Sequence, residues 1–297
     1  MKGDLHCHTR LSDGSVGIEE IVSLARGRGL DVIAITDHDC MAGTIRAKMI
    51  GEKQGVQVIP GVEISCTDKI SGRNVHLLCY SPDFPDRLEG LCHKNQVIRK
   101  KAGQIMMLKA KARFGIDAEF IMKRSTGSTN LYKQHIMHAL LEAGCTDMLF
   151  GEVYEELFIR KGEGNIAVNP IFPAPEEVLQ AIRDAGGIAV LAHPAHYDNF
   201  DTLERLIPLG LDGVEVYHPS CDTVSEARLL KLAKEHKLLV TGGSDFHGMY
   251  SKKSLPMGAY TIADKQLDDF LNYKARKKRQ QRKLDMKKMQ EAAAEIG

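Results

Sequence analysis

The feature that most constrains this chain is an alternation. Short, continuously apolar runs at 31–36, 55–64, 75–80, 187–192, 213–217 and 238–242 are separated by longer amphipathic stretches. Apolar runs of that length, bounded by Gly, Pro or Asp, read as buried strands. The stretches Gly17–Arg28, Thr44–Gln54, Pro175–Asp184, Asp201–Ile207 and Val224–His236 carry helical periodicity. Strands that alternate with helices predict parallel βα units. Strands that are apolar on both sides predict a sheet covered on both faces, or a barrel.

One segment interrupts the rhythm. Between Asn95 and Asn169 no buried strand is legible, and helical patterns run over Gln96–Phe114, Tyr132–Ala143 and Gly151–Arg160. This predicts a helical insertion between barrel strands, overhanging the barrel mouth. The expected organisation is a first barrel part over 1–94, the insertion over 95–169, a second barrel part over 170–262, and a tail over 263–297. The tail is basic, with Lys274, Arg276, Lys277, Lys278, Arg279, Arg282, Lys283, Lys287 and Lys288, and it lacks proline. It reads as a solvated helix, with contact to an acidic ligand or RNA as the other reading.

Composition excludes several classes. The 297 residues hold 40 Lys plus Arg against 39 Asp plus Glu, a net charge of +1 that gives no whole-chain case for nucleic-acid or membrane-surface binding. No apolar run reaches the roughly 18 residues a membrane span needs. The seven cysteines form no CxxC pairs, and the first residues show no signal-peptide stretch, so a reduced, cytoplasmic protein is expected.

The chemistry lies in where histidines and carboxylates fall. His6 and His8 lie on the first strand, with Asp13 beyond. Asp37 and His38 follow the second, Glu63 ends the third, and His76 lies on the fourth. His193 follows the run at 187–192, and Asp245 and His247 follow that at 238–242. In a parallel barrel such strand ends converge on one mouth. Nine nitrogen and oxygen donors (His6, His8, Asp13, His38, Glu63, His76, His193, Asp245 and His247) suit two to three divalent ions of Zn, Mn or Fe. Burying so many titratable groups without metal would be costly. Cys7 alternates with His6 and His8 and is expected on the opposite face.

These residues sit in motifs that resemble those of the PHP (polymerase and histidinol phosphatase) family: His6-Cys7-His8-Thr9 with Ser12-Asp13-Gly14, Ile35-Thr36-Asp37-His38-Asp39, Pro60-Gly61-Val62-Glu63, Val75-His76-Leu77-Leu78, Ala192-His193-Pro194, and Gly243-Ser244-Asp245-Phe246-His247-Gly248. The resemblance implies an α/β fold, a distorted (β/α)7 TIM-like barrel, with a trinuclear centre that hydrolyses phosphoesters through a metal-activated hydroxide. It implies one ion on His6, His8, Glu63 and Asp245, a second on Glu63, His76 and His193, and a third on Asp13, His38 and His247. Many members have His where Asp13 stands, and a harder carboxylate there favours Mn or Fe over Zn.

The chain most resembles the branch of nucleoside 3′,5′-bisphosphate phosphatases and 5′-3′ exoribonucleases. The implied reaction is removal of the 3′-phosphate of such a nucleotide (pAp to AMP plus phosphate). Trimming of short 5′-phosphorylated RNA and hydrolysis of histidinol phosphate are the alternatives, and a non-catalytic metal-binding module is disfavoured because all nine donors are present. Arg99, Lys133 and Lys161 are expected to hold a second phosphate. His135 is expected to contact phosphate or cap a helix, His196 to contact substrate, and His218 to contact substrate or act as an acid. Asp37 is expected to orient an imidazole. The branch usually has Gly-Arg-Pro-His where Tyr132-Lys133-Gln134-His135 stands, and often Arg where His196 stands. These departures leave the metal chemistry intact and make the substrate the open question. The implied partner is a small-molecule nucleotide, or short RNA, with no membrane and no stable protein partner.

Overall fold

The computed structural model describes residues 1–296, apart from the side chains of 281, 287–289 and 291–296. The tail residues Lys287 and Lys288 therefore lie outside the described side chains, as does Gly297 outside the described chain. In order the elements are β1 (Lys2–Cys7), α1 (Ile18–Gly27), β2 (Val32–Ile35), α2 (Thr44–Gln54), β3 (Gln57–Thr67), β4 (Asn74–Tyr80), α3 (Asp86–Phe114), α4 (Ala118–Lys123), α5 (Lys133–Glu142), α6 (Glu152–Phe158), α7 (Pro175–Asp184), β5 (Ile188–Leu191), α8 (Phe200–Leu206), β6 (Gly213–Tyr217), α9 (Thr223–His236), β7 (Leu239–Gly242), β8 (Ile262–Ala263), α10 (Asp264–Leu271) and α11 (Tyr273–Ile296).

The strands form one sheet in the order β7-β6-β5-β4-β3-β2-β1-β8. It curls until the segment after β7 meets β1: the Phe246 carbonyl accepts the His8 N–H at 2.9 Å. The result is a nearly closed α/β barrel. Its continuous apolar runs are explained by two buried faces. On β2 and β4, Val32, Ala34, Leu78 and Tyr80 pack in one cluster with Leu5, Val190, Leu267 and Phe270. The alternate residues Ile33 and Ile35 pack with α1 and α2, and Leu77 and Cys79 with α7 and α8.

Beyond the short edge strand β8, which pairs antiparallel with β1, two features of the sheet differ from the simple parallel expectation. First, β4 runs antiparallel to both β3 and β5. Only residues 68–73 join β3 to β4, too few for a parallel crossover, which takes a dozen residues or more. His76 lies near the start of β4, and the reversed direction is what carries it to the mouth, opposite Ser65 of β3. Second, the register of β1 slips between Asp4 and Cys7. Leu5 joins the interior cluster below the site and Cys7 the outer one beside α1. A bulge of this kind re-aims side chains next to a site.

Helices α3–α6 hold a core of their own, including Met106, Ile121, Ile136, Met137, Leu140 and Leu157. The helix α3 begins at Asp86, ahead of residue 95, and its first turns put Leu88 and Cys92 on the barrel's outer layer. At the opposite end of the barrel from the mouth, α11 is pinned by its first turns. Tyr273 Oη donates to Asp212 (2.7 Å), Lys277 pairs with Asp212 (2.6 Å), and Lys274 with Asp83 (2.6 Å).

Candidate metal centre

Glu63 lies where β3 leaves β2 and turns to pair with β4. Its carboxylate is 1% exposed, and both oxygens face imidazoles. Oε2 lies 3.3 Å from His6 Nε2, 3.3 Å from His8 Nε2 and 3.1 Å from His38 Nδ1. Oε1 lies 2.8 Å from His76 Nδ1 and 2.9 Å from His193 Nε2. Asp245 Oδ1 stands 3.5 Å from His6 Nε2 and 3.2 Å from His8 Nε2. Asp13 makes a third focus, with Oδ1 3.2 Å from His247 Nε2 and Oδ2 3.8 Å from His38 Nε2. All nine residues expected at strand ends thus meet at one mouth.

The donor set fits divalent cations. Burial alone would raise the pKa of each carboxylate. For Glu63 it is outweighed by His38, His76 and His6, for Asp13 by His247 and His38, and for Asp245 by His247 and His6, so all three are held well below the usual range. The site therefore presents three fixed negative charges. Around them, the buried His6 Nε2, His8 Nε2 and His38 Nδ1 make no hydrogen bond. Buried nitrogens without partners are rare, and here they converge on carboxylate oxygens from several strands. A cation between them satisfies both sets.

Surrounding residues hold these donors in place. Glu215 on β6, overlooked at the sequence level, is 1% exposed. It lies 2.9 Å from His6 Nδ1 and accepts the His193 N–H at 2.9 Å, which leaves His6 Nε2 for the centre. The available signal was a lone Glu inside an apolar strand. Asp4, also overlooked, accepts from Ser244 N (2.9 Å), Ser244 Oγ (2.5 Å) and Gly258 N (2.8 Å), fixing the loop that carries Asp245. Asp37 reaches an imidazole through Ser12, whose Oγ lies 3.5 Å from His8 Nδ1. It accepts from Thr9 N (2.8 Å), Thr9 Oγ1 (2.7 Å) and Ser12 Oγ (2.6 Å), and so shapes the turn between His8 and Asp13. His193 and Asp245 have φ of +28° and +50°, left-handed values that non-glycine residues adopt at strained functional sites.

The expected substrate contacts divide. His218 Nε2 stands 3.4 Å from Asp245 Oδ2, and the His196 ring lies 5.6 Å from that of His193. Both line a groove of about 240 Å³ that opens beside Asp245 and His247. Burial and the nearby His193 and His218 push the His196 pKa down to about 4. The cations of the insertion have protein partners. Arg99 pairs with Asp39 (3.1 Å), bonds Ser65 Oγ and sits 5.1 Å over the Tyr132 ring, which stacks beside His38, and Lys133 Nζ sits 5.6 Å over the Phe158 ring. Lys161 is exposed and does not line the groove. His135 is a capping residue: it is 1% exposed and its Nδ1 accepts the Tyr132 N–H at 3.2 Å, closing the start of α5. Its neighbour Gln134, given no role from sequence, donates to Asp13 Oδ2 at 2.8 Å and lines the groove.

Comparison with known proteins agrees with this geometry. Residues 4–167 match the PHP domain. The chain belongs to the PHP family. A phosphoribosyl 1,2-cyclic phosphate 1,2-diphosphodiesterase of Eggerthella lenta is 34% identical over 252 residues, covering 84% of this chain and 95% of the relative. A 3′,5′-nucleoside bisphosphate phosphatase of Chromobacterium violaceum is 30% identical over 253 residues, covering 82% of this chain and 86% of the relative. A solved candidate metal-dependent phosphoesterase of Bifidobacterium adolescentis superposes with a TM-score of 0.79 at 30% identity, covering 91% of this chain and 95% of that one. This PHP protein is thus a metal-dependent phosphoesterase, a hydrolase with a His, Asp and Glu cluster able to bind metal. Among the described residues no helix is long and apolar enough to cross a membrane.

Proposed function

We propose that the enzyme hydrolyses a phosphate ester of a small ribose phosphate that carries a second phosphate, using two to three divalent ions. The observation that carries the reading is the meeting of nine donors at one mouth, five of them imidazoles on Glu63, with a groove opening directly onto Asp245 and His247. His6, His8, Glu63 and Asp245 would hold one ion, Glu63, His76 and His193 a second, and Asp13, His38 and His247 a third. Asp13 favours Mn or Fe in that third position over Zn. Bound, these ions would supply Lewis acidity toward the phosphoryl oxygens and an acidified water as nucleophile.

The chain's own residues do the rest. His218 stands on the groove wall beside Asp245, placed to protonate the departing sugar oxygen. His196 and Gln134 offer further hydrogen-bonding groups on the groove wall. The resemblance read from sequence makes the 3′-phosphate of a nucleoside 3′,5′-bisphosphate the first substrate to test. A second reading, the cyclic phosphodiester of a phosphoribose, is supported by the 34% identity to the phosphoribosyl 1,2-cyclic phosphate 1,2-diphosphodiesterase over 95% of that relative's length. The departures at Tyr132, Lys133, Gln134 and His196 point the same way. Such a substrate is a small molecule, and the reaction calls for no membrane or stable protein partner. A cytoplasmic setting fits that chemistry.

Two measurements test the reading. Metal analysis after reconstitution should find two to three ions per chain, and chelation should abolish turnover; less than one ion per chain refutes the centre. Product formation should then be followed by chromatography, with phosphate release recorded beside it, for pAp, phosphoribosyl 1,2-cyclic phosphate, a 5′-phosphorylated RNA oligonucleotide and histidinol phosphate. Turnover of either of the first two supports the reading, and turnover of histidinol phosphate alone overturns it.

A further inference from the structure

We propose that Lys252 and Lys253 bind the second phosphate of the substrate. The groove beside Asp245 and His247 is lined by His218, Ser220 and these two lysines. They lie on the loop that follows His247, so the chain segment that supplies a donor to the centre also supplies lysines to the groove wall. Arg99 and Lys133, the cations the family resemblance would assign to this work, do not line the groove, and Arg99 pairs with Asp39. The lysines that line it are Lys252 and Lys253.

Both lysines are held lightly. Lys252 pairs with Glu155 of α6 at 2.9 Å and sits 5.7 Å over the Tyr154 ring, with its side chain 61% exposed. Exposed pairs of this kind are weak. Lys253 donates to the Pro219 carbonyl at 2.7 Å, next to His218. A phosphate dianion offers stronger charge-assisted acceptors than an exposed carboxylate or a carbonyl. When it enters, Lys252 exchanges Glu155 for phosphate, and Lys253 turns in from Pro219. The two then fix the sugar with its reacting ester toward Asp245 and its other phosphate away from the centre.

The proposal rests on the two-phosphate reading of the substrate given above, and the test separates the two. The wild type, Lys252→Met, Lys253→Met, the double variant, and the Lys252→Arg and Lys253→Arg forms are compared after metal reconstitution, with metal content measured for each. Each is assayed with p-nitrophenyl phosphate, which has one phosphate, and with pAp and phosphoribosyl 1,2-cyclic phosphate, which have two. For the two-phosphate substrate, the double Met variant should lose about 10- to 100-fold in kcat/KM relative to p-nitrophenyl phosphate, through KM. The Arg forms should keep the ratio within a few-fold. An unaltered ratio in the double variant, with full metal content, overturns the assignment while the substrate reading stands. A wild type that cleaves p-nitrophenyl phosphate and neither two-phosphate compound overturns both.

Discussion

At the scale of the residue, the site depends on which oxygen faces which nitrogen. Glu63 uses both oxygens, so no other side chain of its size can replace it at the centre. Glu215 acts one step back, through His6 and His193. Replacing Glu215 by Ala should free the His6 ring and weaken metal affinity about 10- to 100-fold, with activity recovering at high metal concentration. Metal titration followed by activity checks this, and an unchanged midpoint refutes the role. The same scale shows what a sequence reveals. The nine donors are legible because each sits at a strand end, and a barrel brings strand ends together. The partners of Arg99 and Glu215 are not legible, because Asp39 and His6 lie 60 and 209 residues away and no local pattern links them.

At the scale of the element, backbone geometry fixes the donors' directions. Gly243, just after β7, lies where a Cβ would overlap His6 N and Cβ on β1. Gly243→Ala should therefore push β1 away, costing about 1–3 kcal/mol of stability and lowering metal occupancy. Thermal unfolding with and without metal would show it, and a variant with wild-type Tm and metal content would refute it. The start of α5 gives a pH prediction. Burial pushes the His135 pKa down from 6.5 to about 4. The unfolded chain therefore binds a proton before the folded one does. Stability from this residue is complete above pH 6.5 and is lost as the pH falls from 6.5 toward 4. His135→Gln keeps an N3 acceptor for the Tyr132 N–H. It should remove about 2 kcal/mol of the stability difference between pH 8 and pH 5 in the metal-loaded protein. Denaturant unfolding at the two pH values measures this, and equal differences in variant and wild type exclude it. Helix periodicity located α2 and α7 to the residue, since amphipathic patterns are local. The direction of β4 was less visible, although the short link at 68–73 carried the information.

At the scale of the whole molecule, the barrel separates two kinds of charge. The mouth gathers carboxylates and imidazoles, and the basic α11 begins at the opposite end, on Asp83 and Asp212. The sequence showed a basic run but not where it docks, because its anchors Lys274 and Lys277 pair with acids 191 and 65 residues away. This placement bears on the RNA alternative. A tail that helped bind a polymer at the catalytic mouth would have to reach around the barrel, whereas a tail that braces the base would not affect turnover. Two truncations separate these roles. A chain ending at Lys278 keeps the contacts of Tyr273, Lys274 and Lys277, and gives up a stretch in which Leu284 and Met286 are 54% and 61% exposed. It should hold its stability within about 0.5 kcal/mol. A chain ending at Asn272 loses those contacts and leaves the buried Asp212 without its Tyr273 and Lys277 partners, so it should lose about 2–4 kcal/mol. Turnover of a small phosphate ester by the Lys278-terminated enzyme should match the full chain's. If its turnover of 5′-phosphorylated RNA falls while that of the small ester does not, the tail serves a polymer after all, and the basic face at the barrel's base becomes part of the substrate path.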